Sequence, residues 1–328
     1  MRKIVLVNVF ASLLLIAAVR PPQVSVLIDL DPNSAAPTVV VESIAADSKG
    51  MLYVCDRVTG NVWRIDPKKP KLIVVGRVPE RQIGGKPVRA DASGIVFNQE
   101  GDLFIASGAF AEVLKIRSRD LDPDRPGIAQ TFATGTEGAN GVAIDRNGSL
   151  FVSGGRNGSI YRTGREGGKA EIIAQVPVHT RTLPDGKTQQ AITANGLVFD
   201  PDGTTLYIAD TARGAIWKLA VGAASIGQPS LVIQSALLEG ADGPAFDPRG
   251  NLWVAANERN AVVMVTPDAR IFEIAKNGSK GPLEFPTCVA FVNGVAYVSN
   301  FDTPRRDNLS ADGTSRDGIG ASIVKIEP

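Results

Sequence analysis

Four side chains that carry oxygen donors stand at matching places in this sequence, each just ahead of a short apolar segment. They are two carboxylates and two carboxamides: Glu42, Asn140, Asn195 and Asp242. Such oxygens bind hard divalent cations, above all Ca²⁺ and Mg²⁺, and two of the four carry negative charge. The chain has one histidine and two cysteines in 328 residues, which argues against a structural zinc site. Zn²⁺ and Mn²⁺ stay open as occupants, because an open site that keeps water tolerates several metals.

The four residues belong to a repeat with six copies, spaced about 50 residues apart. The copies begin at a leading residue and continue with small and apolar residues: 42–47, 93–98, 140–145, 195–200, 242–247 and 287–292. In five of them an Asp or Asn and a glycine three positions later form a tight turn, which leads into a second apolar strand. A third strand follows in every copy. Four short antiparallel strands in each repeat are typical of a β-propeller blade.

The sequence therefore predicts an all-β protein, a six-bladed β-propeller formed by one domain over residues 23–328. The sixth copy lacks a fourth strand, so we expect the segment 23–29 to complete the last blade and close the ring, which removes an open sheet edge. First strands line the central channel, so the four oxygen-bearing residues should surround one point at its end. Asn-Gly and Asp-Gly are also ordinary turn formers, but each repeat already has its own hairpin turn. Ser93 and Thr287, which lead the other two copies, are expected to lie outside the cation's direct ligands.

Composition and the first residues bear on compartment and partners. Arg2 and Lys3 precede an apolar run over residues 4–19, which predicts an export signal at 1–22 or, as the alternative, an uncleaved anchor. We therefore expect a periplasmic or secreted protein. A net charge of +1 gives no electrostatic case for nucleic acid. Export permits a disulfide between Cys55 and Cys288, although buried free thiols are the favoured interpretation.

A resemblance to a known family follows from particular stretches. Residues 195–211 and 242–254, with Glu42 and the pair Asn140-Gly141, resemble the senescence marker protein / gluconolactonase / luciferin-regenerating enzyme family, which includes regucalcin. The resemblance extends over nearly all of the chain after the signal. It implies one divalent metal in the channel, Ca²⁺ foremost, bound directly by Glu42, Asn195 and Asp242. It also implies that Asn140 binds metal or substrate and that Asp242 is the general base.

The function implied by this resemblance is metal-dependent hydrolysis of a lactone or a related ester. Two departures bear on the substrate. Residues 138–141 read Gly-Ala-Asn-Gly and lack the Arg and Asp with which the family grips a sugar lactone, and Glu42-Ser43-Ile44 stands where the family has Glu-Gly-Pro. A more apolar lactone or another ester is therefore an alternative to a sugar lactone. Two other hypotheses are a non-enzymatic exported propeller that binds a ligand or partner, and a strictosidine synthase-like propeller enzyme.

The remaining chemically notable residues have simpler interpretations. His179 is interpreted as an exposed loop histidine, Asp56 and Asp210 as turn caps, and the three tryptophans as blade packing. Two polar insertions, 164–194 and 300–321, are expected to be loops that shape the pocket.

Overall fold

The computed structural model describes residues 21–32, 39–182, 186–222, 225–278, 281–301 and 320–327. Residues 1–20 of the predicted export signal and most of the 300–321 insertion lie outside these ranges. Within them the regular structure is almost entirely β-strand, with three short 3₁₀-helices at Ser118–Asp120, Ala236–Leu238 and Asn257–Arg259. The all-β prediction is confirmed. No helix in this part of the chain is long and apolar enough to cross a membrane.

The strands fall into six groups with two extra hairpins. The chain begins with β1 (Gln23–Asp29). The first group is β2 (Val41–Ala46), β3 (Leu52–Asp56), β4 (Asn61–Asp66) and β5 (Lys69–Arg77), followed by a hairpin of β6 (Arg81–Ile83) and β7 (Lys86–Val88). The second group is β8 (Ala92–Phe97), β9 (Leu103–Ser107) and β10 (Glu112–Ile116), completed by β12 (Gln130–Thr134); just before β12, the two-residue β11 (Gly127–Ile128) pairs parallel with β5 of the first group. The third group is β13 (Val142–Ile144), β14 (Leu150–Ser153), β15 (Ser159–Gly164) and β16 (Gly167–Gln175).

The second half continues the same order. A hairpin of β17 (Thr180–Thr182) and β18 (Thr188–Gln190) precedes the fourth group, which is β19 (Leu197–Phe199), β20 (Thr205–Asp210), β21 (Ala215–Ala220) and β22 (Ser230–Gln234). The fifth group is β23 (Ala241–Phe246), β24 (Leu252–Ala256), β25 (Ala261–Val265) and β26 (Ile271–Lys276). The last comprises β27 (Pro286–Val292), β28 (Val295–Asn300) and β29 (Ser322–Glu327). β1 pairs antiparallel with β29 from Gln23 opposite Glu327 to Asp29 opposite Ser322, as the sequence predicts.

The first strands of the six groups contact one another in a closed cyclic order. These inner strands are β2, β8, β13, β19, β23 and β27; each touches the next, and β27 touches β2. Six apolar layers lie between neighbouring groups, one layer for each pair. The layer between the last and first groups includes Val41, Leu52, Tyr297 and Ile323, so the core also runs across the junction between the two ends of the chain. The chain therefore forms a ring of sheets around a central channel.

Local chemistry explains the repeat. The Asp or Asn that opens a turn accepts hydrogen bonds from the backbone that follows: Oδ1 of Asp47 receives the N–H groups of Lys49 and Met51, both at 2.9 Å. Gly50 ends that turn at φ 77°, a conformation that glycine adopts without strain. An aromatic residue in a second strand then packs edge-to-face on a phenylalanine of the next inner strand. Tyr53 and Phe97 do so with ring centres 4.8 Å apart, and the pattern recurs between later groups.

The predicted insertion at 164–194 is shorter than expected. Its first part is the regular fourth strand β16, because residues 167–175 pair with β15. Only the chain from 176 to 194 departs from the repeat, as the β17–β18 hairpin. The β6–β7 hairpin is a second departure that the sequence reasoning did not anticipate.

Candidate functional site

The glycines that follow four of the leading residues allow the backbones of neighbouring inner strands to approach closely; they do not form turns. Gly94, Gly141, Gly196 and Gly243 lack a positive φ, so the backbone does not demand glycine by its conformation. Space demands it: a Cβ on Gly141 would lie 2.4 Å from the carbonyl oxygen of Asn195. At Gly243 it would lie 2.7 Å from the side chain of Cys288. The inner strands therefore touch backbone to backbone at the level of the leading residues, and this contact holds the ring tight at that end.

Two cavities meet at this level. The central channel is a cavity of about 380 Å³, and Glu42, Asn140, Asn195 and Asp242 all line it. A second cavity, of about 490 Å³, lies beyond the leading residues; we call it the mouth. Glu42 and Asn140 line both cavities. All four predicted residues therefore line one space, the channel, and two of them, Glu42 and Asn140, lie where it borders the mouth.

Asp242 is a nearly fully buried carboxylate. Its Oδ2 accepts a hydrogen bond of 3.0 Å from the side-chain amide of Asn257. Burial, and then the negative charge of Glu42, raise the pKa of Asp242 well above its usual value. A carboxylate held like this binds a proton or a cation strongly.

Asn195 is fixed in one orientation. Its Nδ2 donates to Oγ1 of Thr211 at 2.8 Å, and that hydroxyl in turn donates to the carbonyl of Ala241 at 2.7 Å. Oδ1 of Asn195 is buried and has no hydrogen-bond partner among the described residues. A buried amide oxygen without a donor costs about 1–3 kcal/mol, so its environment favours a cation or donor beside it.

Glu42 is held by a positive side chain. Nη1 of Arg57 donates to its Oε2 in an ion pair, and Nη2 of the same guanidinium pairs with Asp91. Burial raises the pKa of Glu42, and the charge of Arg57 opposes that rise. Asn140 is held by hydrogen bonds of its backbone. Its N–H donates to the carbonyl of Ser153, and its carbonyl accepts from the N–H of Gly94.

This donor set fits a hard divalent cation. It offers the buried carboxylate of Asp242, the partly buried carboxylate of Glu42 and one amide oxygen that has no partner among the described residues, which together give two negative charges and several oxygens. No three His, Cys, Asp or Glu side chains gather into a metal group in the described part of the chain, so a cation here would need the asparagine oxygens. The hydroxyls that lead the other two groups are engaged by backbone, Ser93 with the carbonyl of Asp91 and Thr287 with that of Ser299.

Sequence reasoning missed a set of partners that occupy one repeat position. Arg57, Thr211 and Asn257 stand 15, 16 and 15 residues after Glu42, Asn195 and Asp242, and each bonds the leading side chain of its own group. The equivalent position of the second group is Gly108 and of the third Gly154. A fixed interval between a leading residue and a polar residue after the second strand was the available signal. Arg57, Asp91, Glu137 and Arg156 also line the mouth.

The other singled-out residues have structural roles. Asp56 accepts from the backbone of Val40, Val58 and Thr59, and Asp210 from the backbone of Arg213 and the indole of Trp217, so both carboxylates cap turns as predicted. His179 lines neither cavity. Both cysteines are free thiols. Burial raises the pKa of Cys55 to about 12, whereas Cys288 is half-buried on the channel wall.

Comparison with known proteins identifies part of the chain. Residues 185–299, which carry Asn195 and Asp242, match the sequence profile described as the SMP-30/Gluconolactonase/LRE-like region. The chain contains an SMP-30/gluconolactonase/LRE-like region. This agrees with the resemblance seen in the sequence. A 6-deoxy-6-sulfogluconolactonase from Pseudomonas putida is 25% identical over 270 residues, which cover 80% of this chain and 81% of that protein.

Solved structures support the same fold around that region. A gluconolactonase from Xanthomonas campestris superposes with a TM-score of 0.63 at 14% identity, covering 93% of this chain and 89% of that one. Regucalcin from Agrobacterium tumefaciens, a calcium-binding protein, gives 0.59 at 17% identity, with coverage of 94% and 95%. At these identities the likeness concerns the fold alone, which is β-propeller-like.

Proposed function

We propose that this protein is a metal-dependent hydrolase that opens a lactone or a related ester, with one divalent cation at the junction between channel and mouth. Glu42, Asn195 and Asp242 are the direct ligands, Asn140 binds the cation or the substrate, and Ca²⁺ is the favoured ion. The observation that carries the proposal is the buried Oδ1 of Asn195, which has no partner among the described residues. Asn195 lines the same cavity as the buried Asp242 and the partly buried Glu42. The SMP-30/gluconolactonase/LRE-like region and the lactonase relative support the reaction class.

The proposal includes the architecture and the compartment. We infer that the six sheet groups are the blades of one six-bladed propeller over residues 23–328, closed by β1, since the inner strands contact one another in a closed cycle. We further propose that residues 1–22 direct export, so that the protein works in the periplasm or outside the cell. Millimolar calcium outside the cytoplasm would suit a site of moderate affinity.

A bound cation and Asp242 would have different roles in opening the lactone. A bound cation would polarise the substrate carbonyl and stabilise the oxyanion that develops there. Asp242 takes a proton from the attacking water, which is the role of a general base. The water oxygen bonds to the carbonyl carbon, the ring C–O bond breaks, and the proton is returned to the leaving oxygen, which gives a hydroxy acid.

The neighbouring side chains keep this geometry fixed. Asn257 orients Asp242 through its 3.0 Å hydrogen bond, and Thr211 orients Asn195. Asn140, at the border between channel and mouth, is placed to hold a substrate oxygen. A serine–histidine–aspartate mechanism finds no support, because His179 is the chain's single histidine and lines neither cavity.

The test is hydrolysis of a panel of sugar lactones, apolar lactones and aryl esters by the full protein. Removal of cations by a chelator should abolish turnover, and one of Ca²⁺, Mg²⁺, Zn²⁺ or Mn²⁺ should restore it. Asp242→Asn should lower kcat at least ~100-fold, as expected for loss of a general base. Asp202→Asn, an exposed turn residue, is the control and should be unaffected. Turnover that survives both chelator and Asp242→Asn contradicts the proposal, and a tightly bound cation without any hydrolysis favours a binding scaffold.

A further inference from the structure

Arg57 places a positive charge directly on a proposed cation ligand. Its guanidinium bridges two carboxylates, donating to Oε2 of Glu42 with Nη1 and to Oδ1 of Asp91 with Nη2. The same group lies 5.3 Å from the ring centre of Phe301. The guanidinium therefore stands where a divalent cation would have to share Glu42.

The three members of this bridge lie along a path from the interior to solvent. The exposed fraction of the side chain rises from 14% in Glu42 to 22% in Arg57 and 49% in Asp91. Asp91 is held with a positive φ of 52°, and its carbonyl accepts from the hydroxyl of Ser93 at 3.2 Å. The backbone of Asp91 is thus held in place at the mouth, and the guanidinium can move toward this outer carboxylate while it keeps its ion pair with Asp91.

Arg57 is unlike the partners at the same repeat position. Thr211 and Asn257 orient Asn195 and Asp242 by neutral hydrogen bonds and leave the charge of the site unchanged. A guanidinium instead cancels one of the two negative charges that Glu42 and Asp242 offer. A nearby positive charge also repels a divalent cation, and this repulsion is strong in a partly buried site.

We propose that Arg57 is a positioning residue that competes with the divalent cation for Glu42 and so sets the affinity of the site, while Asp91 retains the guanidinium when the cation is bound. The inference rests on the proposed function, because it takes Glu42 as a cation ligand. Its consequence is an exchangeable cation: loading requires a concentration high enough to displace Arg57 from Glu42.

The competition is tested by titration calorimetry of calcium binding to the full protein. The protein is first treated with a chelator, and the chelator is then removed. Arg57→Gln should bind Ca²⁺ at least ~10-fold more tightly than the natural chain, since one competing charge is gone. Asp91→Asn should weaken binding by roughly threefold, because the guanidinium then relies on Glu42 alone, and this loss should shrink in the Arg57→Gln background. Arg81→Gln is the matched control. Arg81 pairs with Glu112 and lies 4.3 Å from the ring centre of Phe110, away from the four site residues, so its loss should leave calcium affinity unchanged.

The outcomes separate this inference from the proposed function. If the natural chain binds Ca²⁺ and Arg57→Gln binds it equally or more weakly, the competition is refuted while the cation site stands. If Arg57→Gln binds and the natural chain does not, the competition is supported in its strongest form. If no variant binds any divalent cation, both fall. If the far-ultraviolet circular dichroism spectrum shows that Arg57→Gln does not fold, Asp91→Asn and Arg57→Lys replace it in the test. Calcium affinities equal to that of the natural chain in both of these variants would overturn the inference.

Discussion

Replacing Gly141 by alanine tests the idea that backbone contact between inner strands positions the site. The added Cβ would lie 2.4 Å from the carbonyl oxygen of Asn195 and 3.0 Å from Cα of Gly196, whereas ordinary contact begins at 3.4 Å. Neither neighbour is a flexible side-chain tip, so β13 and β19 must separate by about 1 Å at this level. Overpacking of this kind costs roughly 1–3 kcal/mol, and here it acts on the backbone that carries Asn140 and Asn195.

Urea unfolding followed by tryptophan fluorescence measures the cost, and calcium titration measures the displacement of the site. We expect Gly141→Ala to lower the unfolding midpoint and to weaken calcium binding together. Gly164→Ala is the matched control, because its Cβ would meet no atom within 4 Å and its φ lies outside the left-handed region. That variant should remain within ~0.5 kcal/mol of the natural chain. Equal stability of both variants would refute the close approach, and a destabilised Gly141→Ala with unchanged calcium affinity would refute its link to the site.

Three further predictions concern charge, closure and the single histidine. Without a cation, Asp242 binds its proton more tightly in the folded than in the unfolded chain, so the free energy of unfolding should fall as pH rises from about 4 through the raised pKa of Asp242. In chelator-treated protein, urea unfolding at several pH values should show that Asp242→Asn reduces this fall. Asp210→Asn removes a buried carboxylate that is fully paired, so that variant should be less stable than the natural chain throughout. Deletion of residues 23–31 removes β1 and exposes the edge of β29, so thermal unfolding should become broad or the protein should associate; a stable, cooperative monomer contradicts closure by β1. His179→Ala should leave kcat unchanged on any substrate that the panel identifies. A loss of about tenfold in kcat would show that His179 takes part in the reaction.

Features that repeat were predictable from the sequence, whereas most features that occur once were not. The Asp-x-x-Gly turns and the alternation of apolar residues are local rules, so the strands and their grouping follow from them. The pairing of β1 with β29 was also predictable, because segment 23–29 belongs to no repeat and the sixth repeat lacks a fourth strand. The β6–β7 hairpin obeys no repeat, and its polar, proline-containing segment 81–88 reads as a loop.

The candidate site was predictable to the level of its leading side chains. Glu42, Asn140, Asn195 and Asp242 share a repeat position, and a ring places equal positions at equal depth. The interval of 15 or 16 residues could have marked the positions of their partners, but the hydrogen bonds themselves were not predictable, because they depend on side-chain rotamers and on distances between strands. Arg57 follows Asp56, which caps a turn, and nothing local distinguishes it from a surface arginine. From the sequence, a turn role for the glycines after the leading residues could be set aside but no other reason for them was apparent, and three-dimensional crowding now supplies it.

The closure of the ring has a consequence for how the protein acquires its site. The hydroxyl of Ser299 donates to the backbone carbonyl of Glu42 across 257 residues of chain, and the hydroxyl of Ser43 reaches the sulfur of Cys288 across 245. Contacts this distant in sequence form late, because the intervening chain must first be ordered. A chain still emerging from the ribosome lacks the hydrogen bond to the backbone of Glu42 until residue 299 has been made, although Arg57 can already pair with the Glu42 side chain. The proposed site therefore depends on contacts between the two ends of the chain, and we expect a chain truncated before residue 299 to lack them.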